Sequence, residues 1–145
     1  FKINMCTDMS HCAYPIFKYI SNNYNSNKVI PIGFTPQIYK YMTISELLLT
    51  KPGGLTTTEA ATINIPIIHT MPIPGCETYN AEFFGSHGMS ISCKNTNDIK
   101  NAVISLLTDK NKMENIIKAQ KQNIDKNACS KICEFIIDEI RKYSK

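Results

Sequence analysis

Short apolar runs alternate with stretches in which apolar residues recur every three or four positions, from residue 2 to about residue 93. That alternation predicts βα units built on a mostly parallel sheet. The runs predict strands over residues 2–6, 28–32, 46–50, 66–71 and 89–93, with helices over 12–21, 36–43, 55–63 and 77–87 between them. Leu47-Leu48-Leu49 and Ile65-Pro66-Ile67-Ile68 show no polar alternation, as expected of strands covered by helices on both faces. From residue 98 the 3.6-residue period takes over, predicting helices at 98–107, 110–123 and 128–142 with no strand between them. Ile132, Phe135, Ile136 and Ile140 fall on one stripe of the last helix, which is expected to pack on the sheet domain. No internal repeat or low-complexity linker interrupts the 145 residues, so no domain boundary is expected inside the chain.

Composition narrows this picture without redirecting it. A chain of this length is about the size of one domain and buries roughly 70% of its unfolded surface. Its 43% hydrophobic and 19% charged residues are ordinary for a folded protein. The net charge of +4 comes mainly from scattered lysines. Lys100, Lys110, Lys112, Lys118, Lys121 and Lys126 read as wet helix faces rather than as the basic stripe of a nucleic-acid binder. The six cysteines form no CxxC pair and no Cys/His cluster at zinc spacing, so free thiols are expected. With no secretory signal and no long apolar run, the expected location is a reducing cytoplasm. The chain opens at Phe1 in what reads as a strand, which is expected of a piece of a longer protein.

In parallel α/β sheets ligands sit beyond the carboxyl ends of the strands, so the loops after the strands are where chemistry is sought. Three stand out: Gly33-Phe34-Thr35, the segment 51–59 (KPGGLTTTE) and the segment 72–80 (PIPGCETYN). In the second, Gly53 and Gly54 lead from a strand into a helix, so backbone can approach a ligand and the helix N-terminus can offer N–H groups to a diphosphate. The segment is neither GxxxxGK[ST] nor GxGxxG. Thr56-x-x-Glu59 has two readings at this point. It fits a capping box, and Glu59 also fits a carboxylate that accepts both hydroxyls of a ribose diol.

Gly33-Phe34-Thr35, Tyr41-Met42, Leu48-Leu49-Thr50-Lys51-Pro52-Gly53-Gly54-Leu55-Thr56-x-x-Glu59-Ala60, Pro66, Pro74-Gly75-x-Glu77-x-x-Asn80-Ala81 and Gly88 follow one another in a recognisable order and spacing. From residue 31 to 92 this series resembles the monogalactosyldiacylglycerol synthase and processive diacylglycerol glucosyltransferase family, and more distantly MurG. The resemblance implies a Rossmann-like parallel sheet forming the C-terminal, donor-binding half of a GT-B fold, with a helical C-terminal tail. Residues 1–145 would be an incomplete UDP-sugar-binding domain, without the first βα unit or the N-terminal acceptor domain.

Roles then carry over by position. The backbone at Phe34 and Thr35 would meet uracil, Gly53, Gly54, Leu55 and Thr56 would face the diphosphate, and Glu59 would hold the ribose. Cys76, Glu77 and Asn80 would lie beside the hexose. Cys76 departs from the family, where Gln is common in the Pro-Gly-x-Glu motif, and a thiol hydrogen-bonds poorly. The implied activity is transfer of glucose or galactose from UDP-hexose to diacylglycerol, with inversion, by a protein peripheral to the membrane.

The implied acceptor site, membrane surface and base belong to the other half, so no catalytic residue is assigned and this stretch alone is expected to be inactive. Rival implications are a MurG-type N-acetylglucosamine transferase, a donor-binding subunit of a two-subunit enzyme, and a nucleotide-binding regulator. No cofactor or nucleic-acid partner is expected. No Asp-x-Asp occurs, and no protein-bound metal is expected. His11, His69 and His87 are read as structural.

Overall fold

The computed structural model describes residues 3–6, 22 and 29–143. Where the sequence shows no boundary, the residues cluster into two units, Phe1–Ile44 and Ser45–Lys145. In the first, β1 (Ile3–Cys6) pairs in parallel with β2 (Val29–Ile32), in the register Ile3 to Val29 through Cys6 to Ile32. A short α1 (Ile38–Thr43) follows. The helix expected over 12–21, with His11 and Cys12, lies outside the described residues.

The second unit carries β3 (Leu48–Thr50), α2 (Gly54–Thr62), β4 (Ile67–His69), α3 (Cys76–Ser86), β5 (Ser90–Ser92), α4 (Thr96–Thr108), α5 (Lys110–Asn123) and α6 (Ala128–Tyr143). Its three strands are all parallel with β4 in the centre, as the βα alternation predicts. The strands are shorter than their apolar runs because ladder pairing stops before the apolar character does.

Of these three strands, only β4 is buried along its whole length. Its alternation divides the core: Ile67 packs with Ala60, Ala61 and Phe84 of α2 and α3, and Ile68 packs with Ala102, Leu106 and Ile116 of α4 and α5. Ile67 and Ile68 are each fully buried, which stabilises the unit by about 1.5–3 kcal/mol apiece. On β3, Leu49 remains 46% exposed, so the triple-leucine run overstated the cover on that strand.

Two matching turns bring the chain from α2 and α3 into β4 and β5. After α2, Asn64 sits at φ 61°, its N–H donates to Ala61 O, and the Ile65 N–H donates to Ala60 O. After α3, Gly88 sits at φ 69°, with Gly88 N–H to Gly85 O and Met89 N–H to Phe84 O. Both are Schellman closures that use a left-handed residue to satisfy the last helical carbonyls. Buried Gln120 of α5 joins them, its Nε2 donating to Ile65 O at 2.9 Å and to Met89 O at 3.0 Å.

The stripe on α6 does not pack as expected. The helix has no buried residue, and Ile132, Phe135, Ile136 and Ile140 are all exposed, Phe135 by 65%. Its 3.6 period is real, but a period specifies a face and not what covers it. No helix of the described residues is long and apolar enough to cross a membrane.

Candidate functional site

The loops after β3 and β4 meet at the carboxyl ends of these neighbouring strands. Pro52 is buried and seats the first loop, and Gly53 then caps α2 at φ −72°, ψ 139° with no side-chain hydrogen bond. The first N–H returned to the chain is that of Thr57, which donates to Gly53 O at 3.1 Å. The N–H groups of Gly54, Leu55 and Thr56 precede it in the first turn, where a helix has no internal acceptors to offer. Because α2 begins at Gly54, Thr56 is its third residue and not its cap, so the capping box with Glu59 does not form. Glu59 is exposed, and its carboxylate makes no hydrogen bond or ion pair among the described residues.

Neither glycine is demanded by the fold. A Cβ on Gly53 would meet nothing within 4 Å, and one on Gly54 would only touch Asn80 Nδ2 at 3.8 Å. Neither has the positive φ that favours glycine. Other helices of the same unit begin differently. Asn95 caps α4 by accepting from the Asp98 N–H, and Asp109 caps α5 by accepting from the Asn111 and Lys112 N–H groups. The loops of α2 and α3 therefore leave open the donors that α4 and α5 close.

At α3 the cap is Gly75, whose φ of +118° and ψ of −133° do belong to glycine. Glu77 turns back within its loop: Oε2 accepts from the Ile73 N–H at 2.7 Å and Oε1 lies 3.5 Å from Lys51 Nζ. Asn80 reaches the other loop, Nδ2 donating to Pro52 O at 2.9 Å. Glu77 and Asn80 thus clasp the two loops together. Cys76 is exposed in the first turn of α3, ahead of Glu77. The sequence-predicted residues Gly53, Gly54, Leu55, Thr56, Glu59, Cys76, Glu77 and Asn80 all fall on these loops and helix starts. Phe34 and Thr35 lie in the first unit, in the loop after β2, where Phe34 is 67% exposed and Thr35 Oγ1 accepts from the Gln37 N–H.

His69, at the end of β4, has no exposed surface. Its Nε2 lies 3.3 Å from Thr57 Oγ1 of α2, its Nδ1 lies 3.1 Å from Ser90 Oγ of β5, and the ring meets Phe84 edge-on at 5.8 Å. Burial disfavours the imidazolium and pushes the pKa down to about 4, so the ring is neutral near pH 7. His87 belongs to the end of α3, with Nδ1 2.8 Å from Phe83 O. Sequence reasoning missed Lys51, whose pairing with Glu77 depends on β3 and β4 being neighbours. Among the described residues no three His, Cys, Asp or Glu side chains gather where they could hold a metal ion.

Comparison with known proteins places these loops in context. Residues 13–123 match the family described as glycosyl transferases group 1. The chain is 35% identical over 121 residues to a processive diacylglycerol beta-glucosyltransferase of Bacillus subtilis, covering 83% of this chain and 31% of that protein. A Staphylococcus aureus protein of the same name is 32% identical over 122 residues, again covering 83% and 31%. The chain therefore spans less than a third of the length of these curated relatives. Among solved structures, Acinetobacter baumannii MurG superimposes with a TM-score of 0.74 at 20% identity, covering 94% of this chain and 42% of that one. That likeness shows the fold alone.

Proposed function

We infer a function from one premise, that this chain belongs to the group 1 glycosyl transferases. We propose that residues 1–145 are the donor-binding part of an enzyme that transfers glucose or galactose from UDP-hexose to diacylglycerol. The observation that carries this is the pair Gly53 and Gly54: side chains are missing where neither backbone nor packing requires it, at a helix start with no side-chain cap beyond a parallel strand. Such a place suits a diphosphate, because the N–H groups and the positive end of the helix dipole oppose its charge without a side chain in the way.

During transfer, negative charge develops on the departing UDP. Donors already aimed at that position stabilise it without having to reorganise. The exposed Glu59 carboxylate, with no side-chain partner among the described residues, is suited to accept from the ribose hydroxyls. The Phe34 and Thr35 backbone would read uracil, with the Thr35 hydroxyl already engaged by Gln37. Glu77 and Asn80 are assigned to the hexose side, where they would act from the clasped loops.

The names of the similar Bacillus and Staphylococcus proteins favour a diacylglycerol acceptor, whereas the likeness to MurG extends only to the fold. In this reading the acceptor site and membrane contact belong to another part of the protein, working peripherally at the cytoplasmic face. Titration calorimetry with UDP and GDP tests the donor assignment. UDP should bind more tightly, and equal affinity for the two would remove the uracil role of Phe34 and Thr35. Glycolipid analysis of cells expressing the protein tests the acceptor.

A further inference from the structure

We propose that His69 is a positioning residue that aims the first turn of α2 at the donor diphosphate, acting through its hydrogen bond to Thr57. The proposal rests on the diphosphate assignment above. The packing of α2 makes a tether necessary. Its buried side chains are Thr57, Ala60 and Ala61, and the two alanines lock only the second half of the helix into the core. In the first half Gly54 has no side chain and Leu55 is 83% exposed, so Thr57 is the one side chain of that half that is buried. Thr57 is also the residue immediately after the three open N–H groups. Whatever fixes Thr57 fixes their direction.

His69 supplies that fixture from the buried middle of the sheet. It ends the central strand, and the adjoining β5 chain holds it twice, by the Cys93 N–H donating to His69 O at 2.9 Å and by Ser90 Oγ beside Nδ1 at 3.1 Å. The imidazole then spans from β5 to α2, reaching Thr57 Oγ1 at 3.3 Å. Each hydroxyl can donate or accept, so either neutral tautomer satisfies both bonds. The Asn80 bond to Pro52 O steadies the preceding loop from the α3 side, leaving the helix itself to His69.

The two ring nitrogens allow the role to be separated from plain stability. His69→Gln extends an amide to the position of Nε2 and keeps the Thr57 bond, whereas His69→Asn keeps an amide near Nδ1 and only the Ser90 bond. Thr57→Val removes the hydroxyl at constant shape. The measurement is the ratio of UDP to uridine affinity in the intact protein, with Tm recorded alongside. The ratio should fall about tenfold in His69→Asn and Thr57→Val, the scale of one lost hydrogen bond. It should stay within about twofold of wild type in His69→Gln, although Tm falls in all three. An unchanged ratio in every variant, or an equal loss in Gln and Asn, overturns the positioning role while leaving the donor assignment standing. A wild-type protein that binds uridine as well as UDP overturns both.

Discussion

Replacing Gly54 with alanine sets the fold and the site against each other. Gly54 is the first residue of α2, and a methyl there would touch Asn80 Nδ2 at 3.8 Å, an ordinary contact that displaces nothing. The fold should therefore gain. Alanine narrows the unfolded ensemble at a position whose native backbone it adopts freely, which is worth about 0.4–1 kcal/mol, or about 2 °C in Tm for a protein of this size. The site should lose. The same methyl projects from the first turn, where the diphosphate would otherwise reach the backbone N–H groups. Losing one hydrogen bond to a charged group costs about 1.5–3 kcal/mol, or roughly 10- to 100-fold in UDP affinity. Uridine, which has no phosphate, should bind as before. Differential scanning calorimetry gives the first quantity and titration calorimetry the second. A variant that melts higher and binds UDP unchanged would mean that the glycine pair serves no ligand, and the central observation behind the proposed function would fall.

Other substitutions probe separate parts of the site and fold. Glu59→Gln should weaken UDP by about 1–3 kcal/mol with little change in Tm, and should abolish any preference for UDP over its 2′-deoxy form; retained preference in calorimetry would count against the ribose role. Cys76→Gln should raise the affinity for UDP-glucose or UDP-galactose over UDP by about 0.5–1.5 kcal/mol, and an equal change for all three ligands would place the loop away from the sugar. Gln120→Leu leaves the Ile65 and Met89 carbonyls buried without their donor and should cost about 2–4 kcal/mol in urea unfolding. For His69 the folded pKa lies below the usual 6.5, so the unfolded chain binds the proton more readily. Its contribution to stability is therefore complete above pH 6.5 and is lost as pH falls towards 4, by up to about 3 kcal/mol. Urea titrations across that window should show a steeper pH slope for wild type than for His69→Gln.

The strands of the described residues were legible in the sequence as short continuous apolar runs, and the last three helices by their 3.6-residue period. Legibility ended where one element depends on another. The apolar stripe of α6 was visible, but the assumption that the sheet covers it was wrong. The capping-box spacing of Thr56 and Glu59 was genuine, yet the cap falls three residues earlier, at Gly53, whose extended backbone sets the entry. The loops after β3 and β4 were readable from glycine placement and strand order. The clasp between them was not: Asn80 and Pro52 are 28 residues apart, and nothing local to either specifies the pair. His69 could be read as structural from sequence, but its two partners come from α2 and β5 and appear only once the strands are ordered.

The exposed stripe of α6 has a kinetic consequence. An isolated helix of about 12–15 residues is marginal in water, and the 16 residues of α6 gain no buried side chain to add to that. Opening of this helix should therefore cost little. In native-state hydrogen exchange its amides should trade protons much as a peptide helix does, while those of α5, pinned by Ile116 and Gln120, wait for the unit to open as a whole. The last sixteen helical residues would then act as a built-in gauge: their protection rises only when some surface covers the stripe, and it rises without any change in the sheet.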